Sequence, residues 1–508
     1  MARNYINIEK TIAETGFFSE YLPPCFSLDK RALNRVPEEK CDLIPPYAFT
    51  MSRYNNNNAR RTIFIPEIGS YNVARNYIRQ ENILQELIEF TESSCSSFSP
   101  ILGKDDSVVK HEQSYGGSIT NDEDGALSNY IQNLSKKIIR ARGAKYVLKL
   151  DISNFYSSFY LHMIPAILLG YENADIYYKK SIIKKDDPTI SVIYKKYQKL
   201  DIIIRAQNLN RTNGLLTGPI VSKIIAESLL TRIDKELSDN GLNFSRYMDD
   251  YEVYLYDENE KAIINLFTSV LKKYGFTLNN EKTEKELFPY YVLKDLEKHI
   301  ESFKVIELDT ASIMELFNVF FDYEQNGTKG AIRYLLKYIE KNPLNIKNID
   351  LYKSYLITIL SNNERSLSKS CLLLIKNNKG LKFEDKDIEI IINLLDKNIR
   401  NNNDLEVIWL LYLLLKLNKL KRTNNLIDRI INSKNELAIL MLLSSGLLNN
   451  TRINKALENA SSWILLYELF LRNKITEAEL ITKLALNKNK SVYIKLKDDN
   501  IHFCRMDL

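Results

Sequence analysis

The sequence predicts an α+β chain in two unlike parts: a mixed strand-and-helix region up to about residue 300, then an all-helical region to residue 508. Strand-like runs rich in aromatic and β-branched residues, YVLKL from Tyr146 and YEVYLY from Tyr251, alternate with helical patterns in the first part. Beyond about 300 strand patterns nearly vanish, and short amphipathic segments succeed one another between Asn/Lys/Ser turns. At roughly 100–200 residues per domain, the chain is too long for a single core.

Composition is that of a globular protein, 45% apolar and 26% charged. The longest apolar run, Val407 to Leu415, is far short of the ~20 residues of a membrane helix. The start, MARNYINIEKTIAE, lacks the apolar core of a secretory signal, so a cytoplasmic protein without membrane partners is expected. Five scattered cysteines and four histidines form no CxxC or zinc-like cluster. A net charge of +6 is compatible with a nucleic-acid or nucleotide partner without demanding one.

Taken in chain order, Gly103–Gly125 is polar and glycine-containing, which reads as a long surface loop, either a lid or plain disorder. AKYVLKLDISNFY then carries a strong strand with Asp151 at its exit, where a carboxylate is costly unless paired or bound to a cation. NGLLTGPIVSKIIAESLLTRIDKEL opens on glycine turns and continues as a helix bearing Ile220, Ile224, Leu229, Ile233 and Leu237. Gly214 and Gly218 either let backbone approach a nucleotide or merely serve the helix entry. NFSRYMDDYEVYLYD places Asp249 and Asp250 at a hairpin tip, a position Asp also favours for local reasons. If the strand end at Asp151 lies beside that tip, Asp151 and Asp249 can share two Mg²⁺ ions about 3.5–4 Å apart, the geometry of in-line nucleotidyl transfer. The carbonyl of Ile152 would add a hard oxygen ligand, and Asp250 would be a weaker ligand or sit behind the first two. Lys282 falls in a polar turn after a short apolar strand.

In the helical part, IWLLYLLLKLNK from Ile408, ILMLLSSGLLNN from Ile439 and WILLYELFLRNK from Trp463 align their apolar positions, each preceded by a shorter, more polar helix. This suggests stacked helical hairpins of the HEAT kind, with a compact bundle as the alternative. Trp409, Tyr412, Trp463 and Tyr467 are expected to pack between these helices.

In this order the segments DISNFY, GLLTGPIVS, YMDD and GFTLNNEKT resemble the four palm motifs of reverse transcriptases, and ARRTIFIPEIGSYNVARNYI resembles the fingers. The resemblance implies fingers with the N-terminal segment over 1–145, a palm over 146–300 and a helical domain over 301–508. It implies that Asp151, Asp249 and Asp250 carry Mg²⁺, that Tyr156 excludes a ribose 2′-hydroxyl, and that Arg60 or Arg61 grips the β- and γ-phosphates. Thr217 and Gly218 would contact substrate, and Lys282 would neutralise or protonate the leaving pyrophosphate. Leu216-Thr217-Gly218 stands where templated enzymes have Pro-Gln-Gly, and no thumb-like segment succeeds Lys282. With SEYLPPCFS near the N-terminus, the chain resembles the abortive-infection (Abi) polymerases of bacteria, the AbiK and AbiA group with its shorter prophage-borne relatives. That similarity implies a phage-defence enzyme using dNTPs, making DNA without a template and leaving the single-stranded product on a priming tyrosine. It would be a homo-oligomer, a trimer rather than a hexamer. Tyr21 and Tyr115 are the candidate primers among 31 tyrosines. The rival readings are an RNA-templated reverse transcriptase of the retron or retroelement type, and an idle palm whose helical part is a scaffold.

Overall fold

The computed structural model describes residues 4–29, 31–32, 41–52, 59–103, 106–109, 130–184, 187–257, 259–292, 296–303, 307–377, 380–420 and 425–506. Tyr115 and most of the Gly103–Gly125 segment lie outside the described residues.

Two antiparallel sheets form. β1 (Tyr47–Ser52) and β2 (Arg60–Ile65) pair with Tyr47 opposite Ile65 and Ser52 opposite Arg60. The second sheet contains β3 (Tyr146–Asp151), β4 (Phe244–Tyr247), β5 (Asp250–Leu255) and β6 (Glu284–Leu287), in the order β4-β5-β3-β6. The strand expected at Tyr146 is thus central, and its residue Asp151 lies directly opposite Asp250. Leu148, Leu150, Phe244, Tyr251 and Val253 are buried in the main core with residues of the Ile220–Asp239 and Glu260–Lys273 helices. Across the sheet, Val147 and Tyr254 pack with Ala141, Ala144, Tyr290 and Tyr291.

One strand escaped the sequence pattern. The short strand expected before Lys282 is only a single bridge between Ile152 and Leu278, whereas the polar stretch EKEL forms β6 on the outer edge of β3. An edge strand needs no apolar alternation, because charged side chains suffice when one edge meets solvent. Lys149 ion-pairs with Glu286, and Lys285 lies 4.1 Å from the Tyr146 ring centroid.

Described residues beyond 307 are helices and their connections. The three apolar helices and the more polar helix expected before each of them all form. The apolar Asp404–Lys416 helix touches Glu436–Ser444, which touches Trp463–Leu471, while the more polar Asp385–Arg400, Asn425–Asn432 and Glu477–Leu484 helices flank them. These inner helices are apolar all round because they are covered twice, by the flanking helices and by the N-terminal half. Asp404–Lys416 packs on β1, and the Thr50 N–H donates to Asp404 at 2.8 Å. Trp463 packs edge-on to Phe17 and Phe503, and the Trp409 indole N–H donates to the Tyr21 carbonyl at 2.8 Å. Both tryptophans therefore join the helices to the N-terminal segment, where packing among helices alone was expected. Buried residues form one continuous core from Ile8 to Cys504.

Candidate active site

β3 and β5 bring the distant aspartates together. Asp151 is the last residue of β3, Asp250 the first of β5, and Asp249 occupies the turn before it. Met248 takes φ +54°, a left-handed conformation that residues other than Gly, Asn and Asp seldom adopt, and this tightens the turn enough to present Asp249 at its tip. The Ile152 N–H points at the Asp249 carbonyl at 3.4 Å, tying the strand exit to the turn.

The carboxylates feel one another. Burial, then the charge of Asp151, pushes Asp249 above the usual carboxylate range, against the pull of Lys282 and Arg61. Asp250 is exposed as a residue, yet its carboxyl is crowded away from water. That desolvation, the neighbouring Asp249 and a hydrogen bond with Asp151 push it up to about 7. Asp151, 6% exposed, accepts from the Asn279 side-chain amide at 2.8 Å and from Lys282 Nζ at 3.1 Å. Asn279 also donates its backbone N–H to the Asp151 carbonyl at 2.8 Å. Lys282 thus reaches the aspartates from a 3-10 turn at Asn280–Lys282. Asn279 was missed, although it lies in the same GFTLNNEKT segment.

Tyr156 stands beside this cluster, packed edge-on to Phe155 with ring centroids 5.5 Å apart. Burial first, then Asp249, raises its hydroxyl pKa. A narrow cleft between the Tyr156 ring and the turn is lined by Phe155, Tyr156, Lys223, Glu227, Met248 and Asp249. The Tyr156 carbonyl accepts from the Leu215 N–H at 2.8 Å, so the GLLTG segment runs alongside it. Gly218, at φ +133°, meets the protein itself: a Cβ there would lie 2.8 Å from the Phe64 carbonyl oxygen, and the Phe64 N–H donates to the Thr217 carbonyl at 2.8 Å. The close approach that glycine permits here is to β2.

Adjacent residues on a strand face opposite ways, and the two arginines of β2 divide accordingly. Arg60 turns to the helical half, where Nη2 meets Glu406 Oε2 at 2.6 Å and Nη1 meets Oε1 at 3.3 Å. Arg61 turns to the site: its charge acts on Asp249 and Tyr156, and its guanidinium lies 4.8 Å from the Tyr21 ring centroid. Of the two candidate priming tyrosines, the described one, Tyr21, lies against Arg61 and near enough to Tyr156 for its charge to add to the rise there.

Sequence reasoning passed over the layer that holds the turn. Arg246, fully buried, ion-pairs with Glu227 and Asp234, both on the Ile220–Asp239 helix, at 2.8 Å each. Burial works against its charge, but Asp234 and Glu227 hold its pKa well above the usual arginine value. The signal was present: two acids seven residues apart fall on the same face of a helix whose apolar positions mark it as buried, and buried acids require a cation.

Residues 83–335 match the reverse transcriptase (RNA-dependent DNA polymerase) family. The match, over just under half of the chain, supports a nucleotidyl polymerase of the reverse-transcriptase type in that region. Among solved structures, telomerase of Candida tropicalis is similar at 12% identity and TM-score 0.32 in its complex with a telomeric RNA fragment, covering 78% of this chain. The apo form is similar at 13% and 0.34, covering 83% of this chain, and Candida albicans telomerase at 11% and 0.29, covering 77%. The chain spans 63%, 70% and 64% of those telomerase chains respectively. No curated protein matches. Reverse-transcriptase domains generally use divalent metals such as Mg²⁺. The donor set at Asp151, Asp249 and Asp250 fits a hard cation, being oxygen only and mutually repulsive without one. Among the described residues no three such groups already stand in metal-ligating geometry, and Asp151 is bonded to Asn279 and Lys282. No helix of the described residues is long and apolar enough to cross a membrane.

Proposed function

We propose that the protein is a template-independent, protein-primed DNA polymerase of the abortive-infection kind, transferring nucleotides from dNTPs. The observation that carries this reading is the proximity of Tyr21 to the catalytic face: its ring stacks on Arg61, and its hydroxyl acts on Tyr156. A tyrosine hydroxyl belonging to the chain would then serve in place of a primer 3′-hydroxyl.

Asp151, Asp249 and Asp250, with the Ile152 carbonyl, would hold two Mg²⁺ ions, which when bound activate the attacking oxygen and neutralise the triphosphate. Arg61 is the proposed triphosphate ligand, Arg60 being taken up by Glu406, and Lys282 the group nearest a leaving pyrophosphate. Tyr156 would select deoxynucleotides by filling the space of a 2′-hydroxyl. Thr217 and Gly218, pinned to β2, would form the floor beside it. The divisions at 145/146 and 300/301, a HEAT-like character for the helical half, a covalently attached single-stranded product and assembly as a trimer belong to the same proposal.

The test supplies labelled dNTPs and Mg²⁺ to the purified protein with neither template nor primer. Label that survives denaturation on the protein, is removed by nuclease, and is lost in Tyr21→Phe supports the reading. Incorporation strictly dependent on added RNA would replace it with the RNA-templated alternative, which the name of the matched family favours.

A further inference from the structure

We infer that Ser99 and Arg246 are positioning residues that hold the left-handed turn at Met248, and through it Asp249, in catalytic register. This rests on the two-metal polymerase reading proposed above.

Met248 is gripped at both of its backbone polar groups. Its N–H donates to Ser99 Oγ at 2.9 Å, and its carbonyl accepts from Arg246 Nη1 at 2.9 Å. Neither anchor is a surface side chain, Ser99 being 2% and Arg246 0% exposed. Each is locked in turn. Ser99 Oγ donates to Glu227 Oε2 at 3.3 Å, and Ser97 Oγ donates to Glu227 Oε1 at 2.7 Å. Arg246 spends its whole donor set: Nε on Asp234, Nη1 on Glu227 and Met248, Nη2 on Glu227 and Asp234. Ser94 Oγ completes the layer by donating to Asp234 at 3.0 Å.

This gives the serine-rich stretch SSCSSFSP, Ser93 to Pro100, a purpose beyond connection. It runs beside β4, with the Arg246 N–H on the Ser96 carbonyl at 2.8 Å and the Phe98 N–H on the Arg246 carbonyl at 2.7 Å. Its hydroxyls then reach the carboxylates and the turn. A lysine at 246 could hold the charge but not the fork that joins two acids and a carbonyl.

The experiment compares wild type, Ser99→Ala, Ser99→Thr and Arg246→Lys for thermal unfolding, dNTP incorporation and Mn²⁺ binding read by electron paramagnetic resonance. Loss of a group that orients a metal ligand costs about 10–100-fold in metal affinity or activity. Ser99→Ala is expected to fold, to lose kcat by about 10-fold with dNTP KM unchanged, and to bind Mn²⁺ several-fold more weakly, an effect that scales with outer-layer substitutions. Ser99→Thr, which keeps the hydroxyl, restores both, while Arg246→Lys behaves like Ser99→Ala or worse. A purely structural role would shift unfolding and leave Mn²⁺ affinity in the folded protein alone. Wild-type kcat and Mn²⁺ affinity in folded Ser99→Ala overturn the inference while the polymerase reading stands. If wild type binds Mn²⁺ but incorporates nothing, the polymerase reading fails, and the Mn²⁺ comparison alone decides the inference. If wild type neither incorporates nor binds Mn²⁺, both are overturned.

Discussion

Asp250→Asn should make the metal-free protein more stable at pH 8 and remove part of its pH dependence. In the folded protein the Asp250 carboxyl is raised from 3.8 to about 7 by desolvation, Asp249 and Asp151. A carboxyl whose pKa rises on folding contributes stability that is full below its unfolded value and lost as pH climbs through the folded one. The window is therefore between about pH 4 and 7. At 1.36 kcal/mol per unit, the full shift would amount to roughly 4 kcal/mol; because Asp250 is exposed, solvent screening reduces this to about 1–2 kcal/mol. The assay is urea unfolding in EDTA at pH 5 and pH 8, for wild type and Asp250→Asn. Wild type should lose more stability between the two pH values than the variant, by about 1 kcal/mol, because the part of the window below pH 5 lies outside the assay, and other titrating groups cancel in the difference. Added Mg²⁺ should stabilise wild type at pH 8 and do so less at pH 5, where the proton competes. Parallel pH profiles for the two proteins would refute the claim that Asp250 is held protonated by its neighbours.

Three further outcomes are expected from the packing. Arg246→Met strands Glu227 and Asp234 without their cation and should cost about 3–5 kcal/mol in chemical denaturation, the scale of a broken buried pair. Arg61→Ala should raise dNTP KM by about 10-fold or more through loss of charge-assisted phosphate bonds, whereas Arg60→Ala, whose partner is Glu406, should lower the unfolding midpoint and leave KM nearly unchanged. Gly218→Ala should destabilise by about 1–3 kcal/mol and loosen β2 from Thr217, measurable by hydrogen exchange at the Phe64 amide.

The meeting of the aspartates was legible because a carboxylate at a strand exit is expensive unless it is paired, whereas Lys282 was singled out only by the resemblance of its segment to a palm motif. The helices were legible because apolar period survives in their sequence. What stayed hidden were relations at a distance. Nothing local distinguishes Arg60 from Arg61, and only the register of β2 against the helical half assigns one to Glu406 and the other to the site. Gly218 could be read as a nucleotide contact or a helix entry, and only the placement of Phe64 shows which backbone approaches it. β6 was invisible because an edge strand of charged residues has no apolar alternation to detect. The serine run was unread since serine pairs equally well with water, and its meaning depends on carboxylates more than a hundred residues away.

The indole of Trp409 reaches back across 388 residues to the carbonyl of Tyr21, and Asp42 accepts the backbone N–H of Asn489 across 447. A ribosome adding roughly 5–20 residues per second therefore needs on the order of 20–80 seconds to deliver Trp409 after Tyr21 has emerged. Phe17, whose ring packs on Trp463, waits longer still, so the nascent chain exposes apolar surface that only its own last quarter can hide. The segment that carries Tyr21, the ring partner of Arg61, is thus among the last parts to be fastened, and synthesis that stops early leaves the aspartates on their sheet without the indole that holds Tyr21.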